Sequence, residues 1–337
     1  MKTLYPSCFD SFHCLAGACP DSCCRAWEIC IDADTASFYQ QIPGALGEKL
    51  RRCLAKDAEG EWYFPLEDGR CPFLDAGGLC EIHAALGEEA TGSVCRQYPW
   101  FIEEYEGFTE KCPSLSCPAA AALILSEPLD GTVYPVPPAS ADPLLNLLTA
   151  GRAAALEAAA RYAFPESAAR IWAMAQDLQE ICDGFDPAAV ICDFDAVLTQ
   201  PAYAEIEQED VMRIRALTER YLRFLLESAE ILTEEWRGLL RAALSRKKTD
   251  GREAAGESAD EKRVLRYFLY RYFLKPVNDG DILLWTAFIL CGVAACRVIA
   301  DRTGTDLAHV ARRYSKEMEH DAENIDRALD FLADALA

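Results

Sequence analysis

Sixteen cysteines occur in 337 residues, and twelve of them fall before residue 118. Eight of the twelve are regularly placed. Cys14, Cys19, Cys23 and Cys24 open the pattern as C-x4-C-x3-C-C, and Cys71 in CPFL, Cys80 in CEI, Cys95 in CRQYP and Cys117 in SCP continue it. Thiolates are soft ligands, and clusters of them hold zinc or iron–sulfur centres. Their setting among Pro, Gly and turn residues is that of a metal-holding framework rather than of scattered packing residues. One [4Fe-4S] centre takes four ligands, so eight cysteines mean either one centre with supporting thiols or two centres. Structural zinc is the alternative from ligand type alone. Cys8, Cys30, Cys53, Cys112, Cys182, Cys192, Cys291 and Cys296 stand outside the pattern and read as packing residues.

The elements that must position these residues fall into two textures. Residues 1–130 are turn-rich, with Gly, Pro and Asp recurring in GACPDSCC, LEDGRCPFLDAGGLC and EKCPSLSCP. A helix is expected over 45–56, where Leu46, Leu50, Cys53 and Leu54 share a face. A short strand is expected over 62–65, and a helix from Cys117-Pro118 to Ser126. From Asp142 onward Ala, Leu, Glu and Arg dominate at helical spacing. Helices are expected near 142–162, 165–183, 187–199, 207–245, 260–275, 279–301 and 305–335, the last breaking near His320 and Asp321. The segment 245–260 is polar and aperiodic and reads as a mobile loop. The fold class is therefore mainly α: a turn-rich cysteine-cluster domain over 1–130 packed on a helical domain over 131–337.

Charge and hydropathy narrow the partners. The chain carries −22, with 33 basic and 55 acidic residues, shared as −12 before residue 131 and −10 after it. Nucleic-acid binding needs a basic face, and none is visible. An acidic body suits a lysine-bearing partner; solubility alone is the plainer explanation. The longest apolar run, 282–296, is shorter than the roughly 20 residues that span a bilayer and reads as a buried core helix. The opening MKTLYPSCFDSFHC has no apolar core of a signal peptide. The expectation is a cytoplasmic protein without a membrane segment, where thiols stay reduced and a metal is favoured over disulfides.

The segments FHCLAGACPDSCCRAW, CPFLDAGGLCEIHAALGEEA, CRQYPWF and LSCPAAAALIL resemble the flagellin lysine-N-methylase (FliB-like) family, within a wider CxxxCxxCC cysteine-cluster group. LRYFLYRYF and ARRYSKEMEHDAENID are similar to it as well. The resemblance implies methylation of flagellin lysines with S-adenosylmethionine as donor and a [4Fe-4S] cluster held in the region of Cys14, Cys19, Cys23, Cys24, Cys71, Cys80, Cys95 and Cys117. Three positions depart from the family's pattern. Ala26 stands where the family has Gly, Trp100 where it has Arg, and Ala119 where it has Glu.

Other side chains are candidates for supporting roles. His83 makes C-x2-H with Cys80, which zinc would accept, although a structural role is favoured. Tyr314, Glu317 and His320 recur every three residues and share part of a helix face. Lysine is protonated near pKa 10.4, so an acceptor amine needs a base, and Tyr98, Glu317 and His320 are the candidates. An ordinary charged surface helix is the competing reading of that stretch. Arg96 could balance a cluster's charge or hold a carboxylate, and Trp27 could pack over the centre or stack on adenine. No G-x-G-x-x-G loop is present, so a donor site would lie near the cluster rather than in a Rossmann domain. The reading is a lysine N-methyltransferase; the alternative is a non-catalytic zinc or iron–sulfur module that docks a protein partner.

Overall fold

The computed structural model describes residues 2–129, 133–184, 208–246 and 258–337. Strands are short: β1 (Lys2–Leu4), β2 (Ile29–Ile31), β3 (Ala55–Lys56), β4 (Trp62–Phe64), β5 (Trp100–Tyr105) and β6 (Phe108–Pro113). Helices α1 (Ala33–Gln41), α2 (Gly44–Cys53), α3 (Glu81–Leu86), α4 (Ser93–Gln97) and α5 (Pro118–Ile124) accompany them. Longer helices follow: α6 (Pro143–Arg161), α7 (Phe164–Asp183), α8 (Gln208–Glu227), α9 (Glu234–Ser245), α10 (Ala259–Tyr272), α11 (Ile282–Thr303), α12 (Leu307–Tyr314) and α13 (Ala322–Leu336). The protein is mainly α, as the periodicity predicts.

Two compact units result, and their division differs from a cut at residue 130. One holds Ser11–Phe101 with Cys117–Ala120; the other holds Met1–Asp10, Ile102–Ser116 and Ala121–Ala337. The difference has a plain cause in strand pairing. β1 lies parallel to β6, with Lys2, Thr3 and Leu4 opposite Phe108, Thr109 and Glu110, and β5 flanks β6 on its other side. This sheet takes the N-terminal residues into the helical unit.

In the cysteine-rich unit, β4 pairs antiparallel with β2 and β3. Asp32 caps α1 by accepting from Thr35 N, and it also accepts from Ser93 N at 2.9 Å. Buried Ile29, Ile31, Tyr39, Leu50, Phe64, Phe73 and Ile82 make the core, with Cys71 inside it and Cys24 and Cys80 at its margin. Tyr39 stacks on Phe64, which meets Phe73 at 4.7 Å.

In the helical unit, α11 is the central element, with buried residues all round it. Such a helix faces protein on every side, here α7, α8, α9, α10, α12 and α13. At 22 residues it outruns its apolar core, and by length and composition it could cross a membrane, yet 78% of its most apolar window is buried inside the protein. The expected single helix over 207–245 is two helices. The break at 228–233 ends with Thr233 capping α9. The break expected near His320 begins earlier, because Ser315–Glu319 forms a π-helical turn between α12 and α13. Helix 187–199, Cys192 and most of the 245–260 loop lie outside the described residues.

Candidate metal centre

Backbone pairing brings the pattern cysteines of the cysteine-rich unit toward one another. Cys71 N donates to Cys24 O at 2.9 Å and Ala26 N to Gly69 O at 3.1 Å, with Arg25 and Arg70 bridged between them. Cys24 and Cys71 therefore sit on adjacent extended stretches. Leu74 and Cys80 are bridged in turn, and Glu81 N donates to Phe73 O at 2.8 Å, so the loop carrying Gly77 and Gly78 returns Cys80 beside Cys71. Cys80 stands immediately before α3 and Cys95 lies within α4. Gly17, between Cys14 and Cys19, packs so tightly on this loop that a Cβ there would meet Gly77 O at 2.7 Å.

The thiols sense one another. Burial, then Cys24, Cys71 and Cys80, push Cys95 up to about 12. Burial likewise pushes Cys71 up to about 12, with Cys24 and Cys80 adding to it, and raises Cys80, with Cys24 adding to it. Cys24, Cys71, Cys80 and Cys95 thus interact in every pairing. Cys117 is raised by burial and then by Cys19 and Cys14, which makes a second neighbourhood. Cys23 reaches both, being raised by Cys24, Cys95 and Cys14. Cys24 alone is lowered, first by a hydrogen bond from Cys23, with Ser22 and Arg25 also lowering it against its burial.

Backbone N–H groups are aimed at the sulfurs, as metal thiolates require of their surroundings. Phe73 N faces Cys71, Ile82 and His83 N face Cys80, and Ala119 and Ala120 N face Cys117. Ala16 N donates to Cys14 Sγ at 3.4 Å. Among the described residues, no three His, Cys, Asp or Glu side chains are gathered tightly enough to hold a metal ion. The donor chemistry of Cys24, Cys71, Cys80 and Cys95 nevertheless fits a thiolate-bound centre. Cys71 is buried, Cys24 and Cys80 are half-buried and Cys95 is exposed; backbone donors face Cys71 and Cys80, and the mutual repulsion of the four as thiolates is what a cation would relieve.

The supporting residues fall as follows. Trp27 Nε1 donates to Cys23 O at 2.7 Å, so the indole braces the Cys23-Cys24 turn, and its ring lies 6.0 Å from that of Tyr98. Arg96 donates from one nitrogen to the Glu89 and Thr91 carbonyls; its charge still lowers Cys95, but that nitrogen is spent on the backbone. The His83 ring is exposed. Trp100 meets Phe12 edge-on at 6.4 Å, an aromatic contact at the position where an arginine was expected. Ala26 adopts φ +80°, which explains why glycine suits that position.

Glu317 and His320 do not form one catalytic face, which corrects the reading of 314–320 as a charged surface helix. The π turn rotates them apart. Glu317 is fully buried; it accepts from Leu232 N at 2.7 Å and from Thr233 Oγ1 at 2.5 Å, which braces the start of α9. No substrate reaches that carboxylate. His320 is exposed, and its Nε2 meets Ser114 Oγ at 2.8 Å and Ser116 Oγ at 3.0 Å. Desolvation, then Arg271 and Lys316, hold it below the ordinary histidine value, so it is neutral at pH 7. Tyr98 belongs to the other unit. Sequence reasoning missed Ser114, Ser116, Ser315 and Glu319; small hydroxyl residues alternating in CPSLSC were the only signal.

Similarity to known proteins covers about a third of the chain. The flagellar biosynthetic protein FliU of Salmonella muenchen is 30% identical over 129 residues, which are 36% of this chain and 76% of FliU. The chain belongs to the FliU family. Lysine-N-methylases of Salmonella typhimurium strain LT2 and Salmonella choleraesuis strain SC-B67 are also 30% identical, over 133 residues. There the chain spans about a third of the relatives' length, 32%, against 36% of its own. No family model matches the chain, and no solved structure does.

Proposed function

We propose that this FliU-family protein takes part in N-methylation of protein lysines, with S-adenosylmethionine as donor, flagellin as acceptor and a [4Fe-4S] cluster on Cys24, Cys71, Cys80 and Cys95. The observation that carries the reading is the backbone pairing that sets Cys24 and Cys80 beside Cys71, with Cys95 feeling the charge of all three, in a chain akin to proteins named for lysine methylation and flagellar biosynthesis. Bound there, a cluster would supply a Lewis-acidic, redox-active iron centre. The chain's own residues would do the rest. Phe73, Ile82 and His83 N–H groups would stabilise the sulfurs, Trp27 and Cys23 would hold Cys24 in place, and Arg96 would offset negative charge. Cys14, Cys19 and Cys117 would form a supporting or second thiol group. The acidic surface would draw lysine-bearing segments, and reducing cytoplasm would keep the thiols free.

The test is anaerobic purification followed by metal and sulfide analysis, then incubation with donor and flagellin. Iron and sulfide near four each per chain and methyl-sized mass increments on flagellin lysines are expected. Stoichiometric zinc without iron, and unmodified flagellin that is still captured, would establish the non-catalytic docking module instead.

A further inference from the structure

Away from the cysteines, the helical unit contains a continuous line of hydrogen-bonding side chains that runs from its surface to a fully enclosed carboxyl group. At the outer end is His320, exposed, with Nε2 against Ser114 Oγ at 2.8 Å. Ser114 is completely buried, and its Oγ lies 3.2 Å from Ser315 Oγ. Ser315, also completely buried, lies within hydrogen-bonding reach of the Glu319 carboxyl. Glu319 is 4% exposed and accepts from Tyr267 Oη at 2.9 Å and from Tyr272 Oη at 2.9 Å.

The π turn makes this line possible. It widens the helix at Ser315–Glu319, a departure that is frequent at functional sites. Ser116 does not offer a way round. Its hydroxyl reaches His320 at 3.0 Å and Ser114 at 2.7 Å, but it meets Ser315 only through its backbone N–H, at 3.0 Å, which cannot relay a proton. Ser114 and Ser315 are therefore obligatory. Burying three hydrogen-bonding side chains, Ser114, Ser315 and Glu319, where an apolar core would serve is costly, which marks the line as more than filling.

The geometry points to a proton relay in which His320, Ser114 and Ser315 connect solvent with Glu319 as an internal proton store. In one inward transfer, His320 Nε2–H gives its proton to Ser114 Oγ while Ser114 passes its own to Ser315 Oγ. Ser315 then passes its own to a Glu319 oxygen. One N–H and two O–H bonds break, three O–H bonds form, and a proton taken up at the other imidazole nitrogen restores the charge. The groups around the store set its balance: Arg271, Tyr267 and Tyr272 from α10, Cys112 from β6, and Cys296 from α11. Lys316 and Arg271 face the histidine. The relay rests on the proposed function only for its proton supply, since each net methylation of a lysine ammonium releases one proton.

The relay is testable without substrate, so its failure is separable from failure of the methylation reading. After an acid jump, the infrared carbonyl band of protonated Glu319, assigned by its loss in Glu319→Gln, should rise within the mixing time in the parent. In Ser114→Ala and Ser315→Ala it should rise about 100-fold more slowly, the lower range of what a positioned proton-transfer group contributes. Ser315→Thr, which keeps the hydroxyl, should restore the rate, which a general loosening of the fold would not allow. Equal rates in the parent and both alanine variants would overturn the proposal. So would a Glu319 band that never appears over the pH range in which the protein stays folded.

Discussion

The two units solve the problem of buried polar groups in opposite ways. The cysteine-rich unit carries short elements, a small apolar core and thiols whose neighbours are other thiols. Its pattern cysteines are mostly raised by burial and by one another, a strain that a bound cation would relieve. The helical unit encloses charges and pairs several of them internally. Arg152 and Glu110 meet in a two-pronged ion pair at 2.7 and 2.8 Å, with Arg152 also donating to Tyr270 O. Glu103 joins Arg271 and Lys275 at 2.8 and 2.6 Å. A thiol group of this kind would gain from an added ligand, whereas the helical unit draws on eight helices of eight or more residues among the described ones.

The largest expected effect breaks that contrast directly. Replacing Cys24 and Cys71 by Ser should abolish metal binding, whose free energy for structural thiolate sites is about 10 kcal/mol or more. Limited proteolysis should then cut within residues 11–101 while α6–α13 stay protected. If parent and variant resist alike, these thiols only pack. Next comes the helical unit's own weak point. Arg152→Met leaves Glu110 buried and unpaired and should cost roughly 3–5 kcal/mol in urea unfolding, whereas the double replacement with Glu110→Leu should recover most of it.

A smaller effect concerns pH. Desolvation raises Glu127 from 4.5 to about 7, partly opposed by Arg266; the carboxylate sits 3.3 Å from Arg266 with neither oxygen in a hydrogen bond. A raised folded-state value means that the folded protein holds the proton more tightly. This stability is fully present below about 4.5 and is lost as pH rises through about 7. Glu127→Gln should therefore remove a decline of about 3 kcal/mol at most across that window, read from urea midpoints at several pH values. The smallest effect lies in the cysteine-rich unit. Ala26→Gly should relieve the positive φ and raise thermal stability by about 1 kcal/mol; an unchanged or lowered midpoint would show that Ala26 is not strained.

Legibility of the sequence followed the range of the interactions. The leucine stripe of α2, the helical spacing that begins at Asp142, and the apolar run in α11 were readable because helix periodicity is local. The single helix expected over 207–245 failed for a tertiary reason. Glu317, 84 residues from Thr233, braces the start of α9 and lets the chain turn at 228–233. The candidate ligands were readable as types and spacings, but their grouping was not, because it depends on backbone pairing between Cys24 and Cys71 and on the return of the chain at Leu74 and Cys80.

What the sequence by itself determined is a mainly helical protein with a cysteine-bearing, turn-rich first third. Composition and short-range periodicity carry that information without reference to the rest of the chain. The tertiary structure alone decided which four thiols share one neighbourhood, that β1 belongs to the helical unit, and that Glu317 braces a helix while His320 heads a line of hydroxyls to Glu319. Those outcomes rest on contacts between residues dozens to hundreds of positions apart, such as Ser114 with Ser315, and no local pattern encodes where such partners meet.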